Sequence, residues 1–470
     1  MRADVAADTP LSTMIPQLRS IFTAFRQSLS RSRLRHCHPV IEATVPAAPH
    51  PLIPECVRNT RSLEPRGIRE YSEGVSTDRV GSQRTDLSHR RFHPGVSRRE
   101  FIKTCASGVC AFSVLSVLGF PQSAGAQIVQ QGLVRTHPAS WYTPLSGGIV
   151  QCGLCPRRCR VSRGKRGFCG VRENRGGEYV SLVYGNPAAI HLDPIEKKPF
   201  FHVLPASGSF SLATAGCNLH CKFCQNWEIS QAEPEEIYSY EAPPELIVRQ
   251  ALEMRARSIA YTYTEPTVFY EFMFDTARLA AEAGLLNVMH SNGFINPAPL
   301  QQLCPLLDAA NIDLKGFSES FYRDLCEGRR APVLESLKLL KRSGVHLEIT
   351  NLLIPTQNDD MEMIRRMSLW IKEQLGADTP LHLTRFYPLY KLRSLPPTPV
   401  STLEQARRTA MEAGLEFVYI GNVPGHEGAN TFCPRCGRMI LRRSGFMVVE
   451  NRVKNGACPY CGVPIPGIWE

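Results

Sequence analysis

Three cysteines stand close together after an apolar run in the middle of the chain. Cys217, Cys221 and Cys224 have the spacing C-x3-C-x2-C, with the aromatic Phe223 directly before the last of them. Three thiolates cannot complete a tetrahedral zinc site, which needs four ligands. They can bind three irons of a cubane 4Fe–4S cluster and leave the fourth iron open. The spacing therefore predicts a cluster with one iron free of protein ligands.

A second set, here called the N-terminal cysteine group, consists of Cys152, Cys155, Cys159 and Cys169 in the spacing C-x2-C-x3-C-x9-C. The glycine-rich interval 163–168 supplies the turns that bring four thiolates together. Four ligands close a site, which predicts structural zinc or an auxiliary iron–sulfur cluster. The sequence does not choose between the two metals, and unligated cysteines are the alternative.

A third set, here called the C-terminal cysteine group, consists of Cys433, Cys436, Cys458 and Cys461. They form two C-P-x-C-G knuckles joined by a hairpin-like run over 439–453. This is the spacing of a zinc ribbon. Because all four positions are protein ligands, we expect the zinc to be structural.

Length and cysteine usage set the broad class. A chain of 470 residues, 43% hydrophobic and 21% charged, can build about two to three globular domains. Of its 17 cysteines, 11 fall into the three groups. Such tight spacing indicates metal binding, whereas a disulfide framework spreads cysteines through a short secreted chain. The metal-binding sections therefore need a reducing environment while they fold.

The net charge of +11 is concentrated at the start of the chain. Residues 1–103 hold 17 Arg and Lys against 10 Asp and Glu, and the remainder is close to balanced. No basic helix or stripe stands out, so nucleic acid is not an expected partner. Residues 1–95 lack a periodic apolar pattern, which predicts a disordered segment. An initiation codon assigned too far upstream would produce the same arginine-rich prefix.

Residues 96–126 have the order of an export signal. Arg98 and Arg99 lie in the stretch S-R-R-E-F-I-K, which matches a twin-arginine motif. The uncharged stretch 104–120 follows, and then an A-x-A cleavage site at 124–126. The pattern predicts export to the periplasm or inner membrane, with membrane contact only through this segment. An unprocessed amphiphilic tail is the alternative.

A strand–helix rhythm fills the region between the outer cysteine groups. Helical spacing occurs over 267–283 and 359–375, between strand-like runs. The runs are 210–215, 258–263, 286–291, 308–314, 346–354, 381–386 and 416–420. Such alternation predicts an α/β fold with a parallel sheet, here a partial (βα) barrel.

Polar residues follow the strands at the edge where such folds collect their chemistry. Glu265 follows the second strand, Asn292 and Gly293 the third, and Asp313 and Lys315 the fourth. The three cysteines of the predicted cluster follow the first strand. We therefore expect all of these residues to lie at one end of the barrel.

With this arrangement the chain resembles the radical S-adenosylmethionine (SAM) superfamily. The resemblance implies that the amino and carboxylate groups of SAM chelate the open iron. It also implies that an electron from the cluster cleaves the sulfonium and releases a 5′-deoxyadenosyl radical. A low-potential electron donor is then a required partner. These needs indicate the cytoplasm, in conflict with the export signal.

The resemblance extends to the SAM-binding positions. Glu265 stands where a glycine-glycine-glutamate motif binds the SAM amino group, although Tyr263 and Thr264 replace the glycines here. Segments 291–293 and 313–315 resemble those that help hold SAM in glycyl-radical activating enzymes. The alternatives are a helix-start carboxylate for Glu265 and a strand-end ion pair for Asp313 and Lys315.

From residue 150 to 470 the chain resembles the radical SAM enzyme of the AmmeMemoRadiSam system. The matching segments are 152–172, 193–199, 224–230, 385–388, 419–424 and 467–469. The resemblance implies companion proteins of the MEMO and AMMECR types and a relationship to pyruvate formate-lyase activating enzymes. The predicted organisation is a cysteine-rich metal-binding segment over 127–205, a radical SAM partial barrel over 206–422 and a zinc ribbon over 423–470.

Three functions compete at this point. The first is an activase-like enzyme that abstracts hydrogen from a protein or peptide partner. The second is a radical enzyme that acts on a small molecule. The third is a non-enzymatic iron–sulfur and zinc protein. The open iron and Glu265 argue against the third, because an electron carrier is served best by a cluster with four protein ligands.

Overall fold

The computed structural model describes residues 129–470. Segments 1–95 and 96–126, with Arg98 and Arg99, lie outside the described residues, so the prefix and the export signal remain predictions. Within 129–470, no helix combines the length and the apolar character needed to cross a bilayer.

The first part of the described chain is built from short antiparallel strands. Two three-stranded sheets have the orders β2-β7-β6 and β3-β4-β5, and β1 pairs with a strand further along. The strands are β1 (Val129–Gln131), β2 (His137–Pro138), β3 (Tyr142–Pro144), β4 (Val150–Cys152), β5 (Arg160–Val161), β6 (Arg172–Arg175) and β7 (Glu178–Ser181). These small sheets fix the backbone on either side of the N-terminal cysteine group.

An eight-stranded sheet forms the centre, in the order β16-β15-β14-β13-β12-β11-β9-β8. Its strands are β8 (Ala189–Pro194), β9 (Gly208–Ala213), β11 (Ser258–Tyr261), β12 (Leu286–Ser291), β13 (Ala309–Asp313), β14 (His346–Leu353), β15 (Leu381–Arg385) and β16 (Val418–Gly421), while β10 (Tyr238–Tyr240) pairs with β1. Seven strands are parallel, as the sequence predicts, and β8 runs antiparallel along β9. The ladder ends at β16 and β8, so the sheet is open.

Helices cover the outside of the sheet. They are α1 (Trp227–Ser230), α2 (Pro244–Glu253), α3 (Tyr270–Glu282), α4 (Pro297–Leu303), α5 (Glu319–Cys326), α6 (Arg330–Arg342), α7 (Met361–Leu375) and α8 (Val400–Glu412). The side chain of Asp360 caps α7 by accepting from the amide of Met363 at 2.9 Å, which satisfies an otherwise free donor of the first turn. Apolar faces such as Ile364, Met367 and Ile371 pack into the core. The predicted helical segments 267–283 and 359–375 are confirmed.

The end of the sheet that holds the strand N-termini is filled by residues 195–204, here called the barrel floor. Phe200 and Val203 of the floor pack against small strand residues such as Ala260 and Ala309. The buried carboxylate of Glu348 on β14 accepts from the backbone amide of Phe201 at 3.0 Å. The floor is therefore held by both apolar packing and a buried acceptor.

A three-stranded antiparallel sheet, β17 (Thr431–Phe432), β18 (Met439–Ser444) and β19 (Met447–Asn451), packs beneath the floor. The predicted hairpin over 439–453 is confirmed. Phe201 joins a small core with Ile440, Cys433 and Cys458. Arg443, which is buried, donates to the carbonyl of Phe201 at 2.7 Å. The C-terminal cysteine group and the floor thus share one core.

His202 is the most constrained polar residue of the floor. Its Nδ1 lies 2.6 Å from the carbonyl oxygen of Pro466, and its Nε2 lies 2.6 Å from the hydroxyl of Tyr419. A carbonyl can only accept, so Nδ1 carries the proton and Nε2 accepts from Tyr419. Burial, the largest cause, lowers the pKa of His202 to about 3. The ring is therefore neutral in the folded protein.

This neutral ring predicts a contribution to acid sensitivity. Because the pKa of His202 is lower in the folded chain than its ordinary 6.5, the unfolded chain binds this proton first as the pH falls. The free energy of unfolding should then fall by up to about 1.4 kcal/mol per pH unit through this residue alone as the pH falls from 6.5 to about 3. Denaturant unfolding at several pH values should give a shallower slope in His202→Gln. Parallel slopes in the two proteins would contradict this assignment.

Candidate metal and cofactor site

The three-cysteine group lies in the loop between β9 and α1, at the C-terminal end of the sheet. The backbone amide of Leu219 points at Cys217 Sγ, 3.4 Å away, and the amide of Cys224 donates to the carbonyl of Cys221 at 3.1 Å. Ser230 Oγ on α1 lies 3.2 Å from Cys224 Sγ. The loop is thus folded around its three sulfurs.

The C-terminal end of α5 supports this loop. The amide of His220 donates to the carbonyl of Cys326 at 3.1 Å, and the amide of Lys222 donates to Leu325 at 2.8 Å. Cys326 is fully buried, and a hydrogen bond from its thiol is the main reason that the pKa of Cys221 is lowered. This neighbour could not be predicted, because Cys326 lies about a hundred residues further along the chain and outside any motif.

Glu265 is buried at the end of β11, beside the three-cysteine group. Its Oε1 accepts from the amide of Thr267 at 3.0 Å, from the hydroxyl of the same residue at 2.6 Å and from Ser291 Oγ at 2.7 Å. Its Oε2 accepts only from the amide of Asn292, at 2.8 Å. The carboxylate does cap the short helix that follows, as the alternative interpretation had it. A carboxylate oxygen has two lone pairs, so Oε2 keeps a free acceptor position.

Asn292 and Gly293 lie against the cluster loop. Asn292 Nδ2 donates to Asn218 Oδ1 at 2.9 Å and lies 3.8 Å from Cys217 Sγ. Gly293 has φ +67°, and a Cβ at this position would lie 2.8 Å from Ile312. Both the conformation and the close approach require glycine. The segment positions the loop that carries the predicted cluster ligands.

Asp313 and Lys315 form the ion pair that the sequence left as an alternative. Lys315 Nζ lies 2.9 Å from Asp313 Oδ2, and His290 Nε2 lies 3.0 Å from Oδ1. Burial alone would raise the pKa of Asp313, but Lys315 and His290 hold it well below its usual range. Lys315 Nζ also lies 6.0 Å from the ring centre of Phe223 in the cluster loop. The pair therefore stands next to the loop, and its role in SAM binding stays a prediction.

The N-terminal cysteine group lines one cavity, next to the three-cysteine group. Cys152 and Cys155 are buried, and Cys159 and Cys169 are partly exposed. Burial raises the pKa of Cys155 to about 12 and that of Cys169 to about 11. Such thiols stay protonated at neutral pH until a metal displaces the proton.

A buried ion pair ties this cavity to α3. Arg172 makes two hydrogen bonds to Glu271, at 2.6 and 3.0 Å, and both side chains are at most 5% exposed. Glu271 also accepts from the amide of Ser140 at 2.7 Å. Sequence patterns did not single out this pair, because the partners lie 99 residues apart.

Removing one partner should be costly. Glu271→Gln leaves Arg172 charged and buried without its counterion, so we expect the free energy of unfolding to fall by about 3–5 kcal/mol. The matched control is Glu282→Gln, which breaks the exposed pair with Arg278 on the same helix and should cost about 1 kcal/mol at most. Denaturant unfolding of both variants measures the two losses of free energy of unfolding. Equal losses would show that the buried pair stabilises the fold no more than the exposed pair does.

The C-terminal cysteine group is already gathered for one ion. The Sγ atoms of Cys433, Cys436, Cys458 and Cys461 all lie within 4.8 Å of one another. Two of their separations are 3.5 and 3.8 Å. Four sulfurs at about 2.3 Å from a tetrahedral zinc ion lie about 3.8 Å apart. The group therefore fits zinc, whose presence remains a prediction.

A polar cluster forms around Lys198 of the barrel floor. Lys198, which is fully buried, lies 2.5 Å from Asp193 and 2.9 Å from the hydroxyl of Tyr263, and that hydroxyl also donates to Asp193. Burial lowers the pKa of Lys198 to about 8, although Asp193 opposes the shift. Asp193 lies near the end of the edge strand β8, and Lys198 follows it in the barrel floor, where it is buried.

Comparison with known proteins places this geometry in a family. The Radical SAM superfamily profile matches residues 211–367, from β9 through α7. An uncharacterized protein of Methanocaldococcus jannaschii is 47% identical over 329 residues, which is 70% of this chain and 98% of that protein. The chain belongs to the radical SAM superfamily. Membership implies a 4Fe–4S cluster and SAM, and the three-cysteine loop fits them.

Two activating enzymes match this chain in part. The pyruvate formate-lyase-activating enzyme of Clostridium pasteurianum is 22% identical over 213 residues, which is 43% of this chain and 87% of that enzyme. A solved domain of a pyruvate-formate lyase-activating enzyme from Bacteroides vulgatus aligns with a TM-score of 0.32 and 15% identity over 35% of this chain and 99% of that chain. The sequence match to the Clostridium enzyme shows homology to an activating enzyme over the 43% of this chain that it covers.

Proposed function

We propose that the chain reductively cleaves SAM and uses the resulting radical to abstract hydrogen from a protein or peptide partner, as activating enzymes do. The observation that carries the proposal is the three-cysteine loop at the C-terminal edge of the sheet, held beside the buried carboxylate of Glu265. When bound, the cluster supplies the electron that cleaves the sulfonium of SAM. A low-potential electron donor would supply the electron to the cluster. The companion proteins would be of the MEMO and AMMECR types, which belong with this enzyme to the AmmeMemoRadiSam system.

The chain's own residues have distinct tasks in this proposal. Glu265 Oε2 has a free acceptor position for the ammonium of SAM. Asn292 holds the loop that carries Cys217, through its hydrogen bond to Asn218. Lys315 provides positive charge beside Phe223, where the thiolates concentrate negative charge.

An isotope experiment tests the class of substrate. Cells of the organism that encodes the chain are grown in deuterated medium, and their lysate is separated into protein and small-molecule fractions. The reconstituted chain, unlabelled SAM and dithionite are added to each fraction without oxygen. Mass spectrometry should find deuterium in 5′-deoxyadenosine from the protein fraction.

Two other outcomes of this experiment would contradict the proposal, in part or as a whole. Deuterium from the small-molecule fraction alone would replace the activase-like proposal by the small-molecule alternative. Failure to form 5′-deoxyadenosine in either fraction, with the cluster present by iron analysis, would reject radical SAM activity itself. Preparations without SAM serve as the control.

Glu265 should contribute to SAM binding through its charge. Glu265→Gln preserves the size of the side chain but removes the negative charge, so we expect the Kd for SAM to rise by about tenfold or more. Calorimetric titration of the reconstituted chain measures the change. The iron content should match that of the wild type. An unchanged Kd would mean that Glu265 only accepts hydrogen bonds from Thr267 and Ser291 and does not bind SAM.

A further inference from the structure

The N-terminal cysteine group is spaced differently from the group that fits zinc. Within 129–470, the C-terminal cysteine group is the only set of three or more His, Cys, Asp or Glu side chains gathered closely enough to hold one metal ion, with its ligand atoms within 4.8 Å of one another. The four cysteines of the N-terminal group line one cavity but are not gathered in this way. Thiolates around a cubane bind separate irons, so they lie further apart than thiolates around one ion. The spacing favours a cluster.

Two buried hydrogen-bond donors in the cavity wall lack partners. Arg172 Nε and Tyr179 Oη are buried without an acceptor, and both residues line the cavity. A buried donor without an acceptor destabilises the folded chain. Cluster sulfides and cysteine thiolates accept such hydrogen bonds, which also tune the reduction potential. The cavity therefore offers donors as well as ligands to an iron–sulfur cluster.

The cavity also adjoins the site of the first cluster. Asn218, the residue after Cys217, lines the cavity. Gly216, the residue before it, has φ +89°, and a Cβ there would lie 2.6 Å from the carbonyl oxygen of Cys169. Arg157 of the N-terminal segment donates to the carbonyl of Asn218 at 2.6 Å. One loop therefore borders both groups of cysteines.

We propose that Cys152, Cys155, Cys159 and Cys169 bind a second 4Fe–4S cluster that passes single electrons to the cluster at Cys217, Cys221 and Cys224. The relay rests on the proposed function, whereas the second cluster does not. A low-potential flavin or iron–sulfur protein reduces the second cluster by one electron. That electron then moves to the first cluster, so one centre is oxidised as the other is reduced. No bond forms or breaks in this step.

Metal analysis tests the second cluster independently of catalysis. The full chain, reconstituted with iron and sulfide without oxygen, should hold about eight irons and one zinc. The triple variant Cys217→Ala, Cys221→Ala, Cys224→Ala should keep about four irons and the zinc. About two zinc ions and four irons in the wild type, or no iron in a folded triple variant, would overturn the proposal.

Electron paramagnetic resonance tests the adjacency that a relay needs. The triple variant should show, after reduction, the signal of one cluster. The fully reduced wild type should show broadening from the magnetic interaction of two neighbouring clusters. A wild-type spectrum that is the plain sum of two isolated clusters would reject the relay but leave the second cluster in place.

Tyr179→Phe provides the chemical check, because it keeps the ring and removes one donor. In the triple variant background, this change should make the reduction potential of the remaining cluster more negative. Tyr142→Phe should leave the potential unchanged, because this ring lies 5.7 Å from that of Tyr179, tilted by 57°, but is outside the cavity lining. Equal potentials in all three proteins would show that Tyr179 does not contact the cluster.

Discussion

Replacement of Cys217, Cys221 and Cys224 by alanine is expected to reduce SAM cleavage to the level of the reductant alone. The three thiolates are the protein's anchors for the cluster that superfamily membership implies, and no cleavage is possible without its electron. Chromatography of 5′-deoxyadenosine after anaerobic incubation with SAM and dithionite measures the effect.

A matched control separates this loss from general damage. Cys304 is buried at the end of α4 and belongs to none of the three cysteine groups. Cys304→Ala should therefore retain cleavage activity and the full iron content. Cleavage by the triple variant at the wild-type rate would mean that the electron comes from elsewhere in the chain.

Loss of the zinc predicted at the C-terminal cysteine group is expected to destabilise the barrel floor as well as the sheet of β17, β18 and β19. Cys458→Ser with Cys461→Ser removes two of four ligands, and structural zinc contributes on the order of 10 kcal/mol of apparent binding free energy. Because Cys458 and Phe201 share one small core, the loss should spread to the floor. We expect a fall in Tm of more than about 10 °C and faster amide exchange at Phe201 and His202.

The control for this variant is a change on the same hairpin that leaves the metal site intact. Met447 is 69% exposed on β19. Met447→Ser should change the free energy of unfolding by about 0.5 kcal/mol or less. If the double serine variant kept wild-type exchange at Phe201, the sheet of β17, β18 and β19 would be an independent unit with no influence on the barrel floor.

The parallel strands of the fold could be predicted because their sequences are short apolar runs separated by helical spacing. Runs such as 286–291 and 346–354 coincide closely with β12 and β14. The edge strand β8 could not be predicted in the same way. Its residues include His191 and Asp193, and none of its six residues is fully buried, so they lack the apolar pattern of a central strand.

Some residues of the candidate site could be predicted from the sequence and others could not, for the same reason. Ligand spacing within a few residues identified the three-cysteine group, since the sequence itself fixes how close such residues are. Partners brought together by the fold left no local pattern. Cys326 beside Cys221, and Arg172 with Glu271, depend on helices α5 and α3 packing at particular places, which a single sequence does not specify.

The barrel floor has a consequence for how the chain is made. Ile468 exchanges two backbone hydrogen bonds with the floor, one to the carbonyl of His202 and one from the amide of Leu204, each 2.7 Å long. The ring of His202 bonds to Pro466, which lies 264 residues further along the chain. At ribosomal rates of about 5–20 residues per second, this interval takes roughly 10 to 50 seconds to synthesise. During that time the apolar underside of the sheet lacks its cover, so we expect chaperones to bind the nascent chain there until translation is complete.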